Sequence, residues 1–319
     1  MKLKRTICVL TGTFFAFGIY MSPASASFGE PENELLYKLP TIYSDGFIRV
    51  VSDAKISKAE GAKVAAVARK AIDFDLNTLG WDNAKTAKNG YCIAIISRDY
   101  GKRTLHSDGF GGEALEGDLF AGGLETYRKD KQRFSAIVAH ELAHIIVYRC
   151  FGNVSARKYG WSRPWDEGLA QSLEYRFELV SYRQKFPSGR MKARWGDMRL
   201  TADDAVWTFE QEKFVARKQG YELSAKDQQR WADCVYPLGR QFIEFIRVGL
   251  HDGEGCPDAI PKLGKVIQRV AKSHRMFDVE FKEEFGLELS DVQRQFVEHL
   301  RKTQNSPVMR FKDSIIEPE

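Results

Sequence analysis

The sequence predicts an α+β protein in which a small N-terminal α/β lobe with a mixed sheet leads into a helical C-terminal lobe. Three observations carry this reading. Two strand-like runs lie before residue 100, an amphipathic helical period separates them, and from Phe134 onward the helical period dominates.

The first segment is set aside from the fold. Lys2, Lys4 and Arg5 precede an apolar stretch from Ile7 to Tyr20, and Ala24-Ser25-Ala26 follows. This is the pattern of a secretory signal peptide cleaved after Ala26, and the apolar run is shorter than the roughly 20 residues of a membrane span. An exported protein, periplasmic or secreted, is therefore expected, with residues 1–26 as the signal. Residues 27–302 then form the folded unit, divided into lobes at 27–151 and 152–302, and 303–319 form a tail. No later apolar run reads as long enough to cross a bilayer, so no stable membrane insertion is expected after cleavage. Losing the three basic signal residues lowers the formal charge from +5 to about +2, and no basic stripe interleaves with aromatics. Nucleic acid is accordingly excluded as a partner. Cys92, Cys150, Cys234 and Cys256 remain, and an even count in an exported chain leads us to expect disulfides, with Cys92–Cys150 and Cys234–Cys256 as the pairing.

Within the N-terminal lobe, "GFIRVVSD" (46–53) reads as a β-branched strand. The helix that follows, from Ser57 to Gly80, opens on a Ser57/Glu60 capping box and places Val64, Val67, Ala71, Phe74 and Leu76 on one face. "YCIAIISR" (91–98) is a continuous apolar run suited to a buried strand. Residues 101–123 are glycine-rich; "GFGGEA" matches a dinucleotide fingerprint only loosely and opens no helix, so turns and an edge strand are expected, "LFAGGLETYR" being the strand able to pair with an extended ligand. A helix over 133–151 ends at Gly152, and a second begins near Trp165. Residues 184–203 read as a basic surface loop. Helices are then expected at 225–250, 261–273, 276–285 and 290–302.

The helix over 133–151 carries His140-Glu141-Leu142-Ala143-His144 in an otherwise apolar setting. Residues four apart stand one turn above each other, so both imidazoles can reach one metal ion, and Glu141 flanks them where it can accept a proton from a water the ion polarises. A catalytic site of this type needs a third protein donor and an open position. "RPWDEGLAQSLEY" offers Glu167, 23 residues after His144, at the start of a helix that can return antiparallel to the first. His106, His251, His274 and His299 have no partner at ligand spacing and read as surface residues. Trp161 and Trp165 read as packing for the linker, and "RKDKQR" as a solvated face.

H-E-L-A-H followed by W-D-E-G-L-A resembles the gluzincin class of zinc metallopeptidases, particularly the peptidase MA-like group. The likeness runs over about residues 130–302, since "VYPLGRQFIEFI" and the segment from Glu280 to Leu300 are similar to that group's closing helices. The resemblance implies a zincin-like fold, Zn2+ held by His140, His144 and Glu167, Glu141 as general base, a peptide or protein substrate, and Tyr236 as the donor to the oxyanion. It departs from the thermolysin-like pattern at Gln171, where that pattern has an aspartate, and is closer to the aminopeptidase-like variant, with Asp166 where an asparagine often stands. Asp166 then either steadies a zinc ligand from behind or caps the helix. Gly168 and Ala170 are small enough for close packing against the first helix. Two other readings stay open: a cell-wall peptide hydrolase, and a zinc-binding module without turnover, which Glu141 argues against.

Overall fold

The computed structural model describes residues 30–82, 90–104, 112–115, 119–152, 156–182, 200–217 and 224–303. The expected signal segment, His106, most of the basic stretch from 184 and the tail after Thr303 lie outside the described residues. The architecture is α+β: a mixed sheet near the N-terminus followed by helices.

Helix α1 (Glu30–Tyr37) leads into β1 (Thr41–Ser44) and β2 (Ile48–Ser52), an antiparallel pair. Helix α2 (Lys58–Leu79) starts on the expected capping box, Ser57 accepting from the Glu60 N–H and Glu60 reaching back, and stops at Gly80 in the left-handed conformation (φ 70°). Strand β3 (Tyr91–Ile96) runs parallel to β2 and is buried along its whole length, as its unbroken apolar run requires. After α3 (Arg98–Thr104) come β4 (Gly112–Leu115) and β5 (Leu119–Gly123), and the sheet order is β1-β2-β3-β5-β4.

That order corrects one expectation. "LFAGG" is not an edge strand: it pairs with β3 on one side and β4 on the other, and all five residues are buried, while the rest of the segment turns into α4 (Leu124–Lys129). An apolar run without polar alternation belongs inside a sheet covered on both faces, and the edge falls to β4.

Helix α5 (Lys131–Phe151) crosses beneath the sheet, capped by Asp130 accepting from the Arg133 N–H and closed at Gly152 (φ 61°). Contrary to the reading of the sequence, α5 is long and apolar enough to cross a membrane by length and composition. It is the core helix of this fold, buried over most of its surface against α2, β5 and the helices that follow. Those are α6 (Arg163–Tyr182), α7 (Ala202–Arg217), α8 (Ala225–Val248), the single turn α9 (Leu250–Gly253), α10 (Ala259–Ser273), α11 (Phe277–Phe285) and α12 (Leu289–Thr303). Trp165 packs on Phe242, Phe277 and Phe281, which fixes the start of α6 against α8 and α11. Trp161 and Trp165 are buried packing residues, as expected. Gly168 does not serve the contact with α5: it meets Gly239, so that the backbones of α6 and α8 touch there.

The expected disulfides are also corrected, for all four cysteines are free. Strand pleating explains the first pair: Tyr91, Ile93 and Ile95 face the helices, whereas Cys92 joins Leu36, Val51 and Ala94 on the other face of the sheet, away from Cys150 at the end of α5. Cys234 lies within α8, while the Cys256 N–H bonds to Ile246 and Arg247 near that helix's end. Twelve residues of helix separate those levels by roughly 18 Å, far beyond the Cβ spacing of about 3.5–4.5 Å that a disulfide needs.

Candidate metal centre

Two antiparallel-facing stripes build the site. On α5, His140 and His144 lie one turn apart; on α6, Glu167 projects from the second turn between them. His140 Nε2 and His144 Nε2 are 3.3 Å apart, and Glu167 Oε2 is 3.4 Å from the first and 3.5 Å from the second. The three atoms form a nearly equilateral triangle. Donors about 2.0–2.1 Å from one ion at tetrahedral angles are separated by about 3.3–3.4 Å, so the triangle has the size of three corners of such a shell. His140, Glu141 and His144 also bring donor atoms within 4.8 Å of one another.

The proton inventory makes the same point. His140 Nδ1 is 3.1 Å from Glu174 Oε2 and His144 Nδ1 is 3.0 Å from Asp166 Oδ2, so each of these ring nitrogens lies beside a carboxylate. Both Nε2 atoms face Glu167 Oε2, which is buried and, among the described residues, has no hydrogen-bond partner. With neutral imidazoles protonated at Nδ1, three acceptors converge there, an arrangement that a cation between them stabilises. Around them, the carboxylates of Glu141, Asp166, Glu167 and Glu174 are matched by two guanidiniums: Arg133, 3.1 Å from Glu174, and Arg163, 3.1 Å from Glu167. Among the described residues, Glu141 and Asp166 are thus the two of the four without a guanidinium partner.

The acid-base equilibria register that negative field. Burial opposes charge on His140, yet the Glu167 and Glu174 carboxylates beside its ring nitrogens push its pKa up to about 10. Burial likewise opposes charge on His144, and Asp166 and Glu167 override it. Glu167 is held well below the usual carboxylate range in spite of its burial, chiefly by Arg163 and His144. Glu141 shifts upward because it is buried, and its Oε2 accepts a 2.9 Å bond from the Ala114 N–H on the edge strand β4.

The structure thus brings together His140, Glu141, His144 and Glu167. Asp166 sits behind His144 and also accepts from Tyr148 Oη (2.8 Å) and Trp161 Nε1 (3.2 Å), so its side chain is spent on the imidazole's surroundings and not on a helix cap. Tyr236, from α8, reaches the same neighbourhood through Arg163, whose Nη2 donates to its hydroxyl at 3.3 Å. Among the other histidines, His274 is exposed and stacks on Tyr159, and His299 is half-buried beside Phe245.

Reasoning from the sequence missed Glu174, Arg163, Tyr148 and Arg133. The first three were readable by spacing: Glu174 is seven residues after Glu167, Arg163 four before it, and Tyr148 four after His144, all on the site's faces. Arg133 sits in the run expected to be a solvated face, and only packing against α6 shows that it serves Glu174. Comparison of the chain with protein-family models, with curated proteins and with solved structures found no match.

Proposed function

We propose that this protein is a zinc-dependent hydrolase, with His140, His144 and Glu167 as the residues that would hold the ion. Within that class we read it as an exported metallopeptidase of the gluzincin type, acting on a peptide or protein substrate. The observation that carries the reading is the triangle of two Nε2 atoms and Glu167 Oε2 with a second acid, Glu141, at its flank. A purely structural ion has no use for such an acid, whereas hydrolysis needs a base beside the attacked bond.

Zinc held by this triangle would supply Lewis acidity toward a water and a substrate carbonyl. Glu141 is oriented for the proton transfers, because the Ala114 N–H fixes its Oε2 and Oε1 is the oxygen that takes the water's proton and returns it to the leaving amine. Asp166 and Glu174, 3.0 and 3.1 Å from the two Nδ1 atoms, would favour the tautomer that presents Nε2 to an ion. Tyr236 stays protonated, since burial and then the Glu167 charge raise its pKa, and with Arg163 donating to its oxygen the phenol acts as donor toward the oxyanion. Export rests on the basic, apolar and small-residue pattern of residues 1–26.

The test uses the mature chain from residue 27. It is expected to carry one zinc per molecule and to cleave a random peptide library in a chelator-sensitive manner. Glu141→Gln is expected to bind zinc like the parent and to lose about 10²–10⁴-fold in kcat. Equal cleavage by this variant, or no metal in the parent, would remove the proposal.

A further inference from the structure

We infer that Arg163 is a positioning residue that ties the third metal donor to the oxyanion donor, so that one guanidinium sets both metal affinity and turnover. The inference rests on the zinc hydrolase reading and adds to it a residue that the metal-site pattern does not contain.

The argument begins with Glu167, which has two oxygens but presents one. Its Oε1 receives Arg163 Nε at 3.1 Å and lies 3.1 Å from Arg163 Nη2, while Oε2 alone faces the two imidazoles. With Oε1 engaged twice from within its own helix, four residues back, the carboxylate cannot rotate to offer both oxygens to an ion. Nη2 is shared: the same nitrogen is 3.3 Å from Tyr236 Oη. The guanidinium is held in turn by the Trp231 ring, 5.7 Å away, and that indole is anchored by its N–H to Glu212 at 2.9 Å. Arg163 therefore joins α6, which carries the donor, to α8, which carries the tyrosine. A lysine keeps the charge but is a point donor and cannot fork between Oε1 and the phenol.

A competing role is direct capture of a substrate carboxylate, since the Arg163 side chain keeps 27% of its surface exposed. The two roles separate experimentally. Zinc affinity is measured by competition with a chromophoric chelator, and kcat and KM at saturating zinc, for the parent, Arg163→Met, Arg163→Lys, Tyr236→Phe and the Arg163→Met/Tyr236→Phe double variant. Positioning gives a 10–100-fold loss of zinc affinity in Arg163→Met, a smaller loss in Arg163→Lys and none in Tyr236→Phe. It also gives matching kcat losses in Arg163→Met, Arg163→Lys and Tyr236→Phe, with no further loss in the double variant and KM little changed. Parent-like zinc affinity in Arg163→Met, or a KM increase confined to free-acid peptides, overturns the inference, as do multiplicative kcat losses in the double variant. Should Arg163→Met fail to fold by circular dichroism, Arg163→Lys decides through its kcat, a parent-like value overturning the inference. A parent that binds no zinc overturns both readings. A parent that binds zinc and cleaves nothing overturns the peptidase reading alone, and the affinity series then decides Arg163.

Discussion

At the scale of the residue, the site and its surroundings treat buried charge in opposite ways. Glu167 and Asp166 are buried with partners for their charge, whereas Asp75 on α2 is fully buried and, among the described residues, neither of its carboxyl oxygens has a hydrogen-bond partner. Burial raises its pKa well above the ordinary 3.8, against the weaker pull of a charged His140. An acid with a raised folded pKa holds a proton that the unfolded chain has already lost, so its stabilising contribution is present below pH 3.8 and drains away as pH climbs toward the folded value. Asp75→Asn in the zinc-loaded protein is accordingly expected to gain on the parent by about 1.4 kcal/mol per pH unit within that window. Urea denaturation at pH 5 and pH 7 measures this; parallel pH profiles of parent and variant would contradict it. The same scale shows what spacing discloses. His140, His144 and Glu141 are fixed by neighbours within one turn, and so are Tyr148 and Arg163, which were overlooked only because an aromatic and a cation on an amphipathic helix carry no chemistry until a partner is seen.

At the scale of the element, the contact between α6 and α8 is what sets Tyr236 against Arg163. Gly168 and Gly239 lie backbone to backbone, and a Cβ on Gly239 would collide with the Pro164 carbonyl. Gly239→Ala is therefore expected to cost about 1–3 kcal/mol through overpacking and to lower kcat by moving Tyr236; a variant with parent stability in urea would show that the crossing can relax. Helices with a long apolar period were legible to within a few residues, among them those at 57–80, 133–151 and 225–250. Short or weakly patterned elements were not. Helix α1 has eight residues and a proline, β1 has four, and α7 follows an irregular basic stretch that hides its start. Such segments are stabilised by what they pack on more than by their own propensity.

At the scale of the whole molecule, stability is expected to depend on metal and not on thiol chemistry. On the proposed zinc reading, an ion that binds only the folded chain stabilises it, so zinc at 1,000 times its Kd is expected to add about 4 kcal/mol and to raise Tm by several degrees over the chelated protein. Dithiothreitol is expected to leave Tm unchanged, because Cys92, Cys150, Cys234 and Cys256 are free; a reductant-sensitive Tm would restore the disulfides. The cysteines mark the limit of a count read without a fold: an even number invites pairing, but pleating put one on the far side of the sheet and a helix axis parted two others. By itself the sequence determined the α+β order, the α5 helix and the His140–His144 pair, because a helical turn is a local repeat that four residues of spacing specify. The tertiary structure alone decided that β4 and not β5 is the edge, that Glu174 and Asp166 back the imidazoles, and that Arg163 bridges Glu167 to Tyr236. Those are meetings between elements far apart in the chain, chosen by how their surfaces pack.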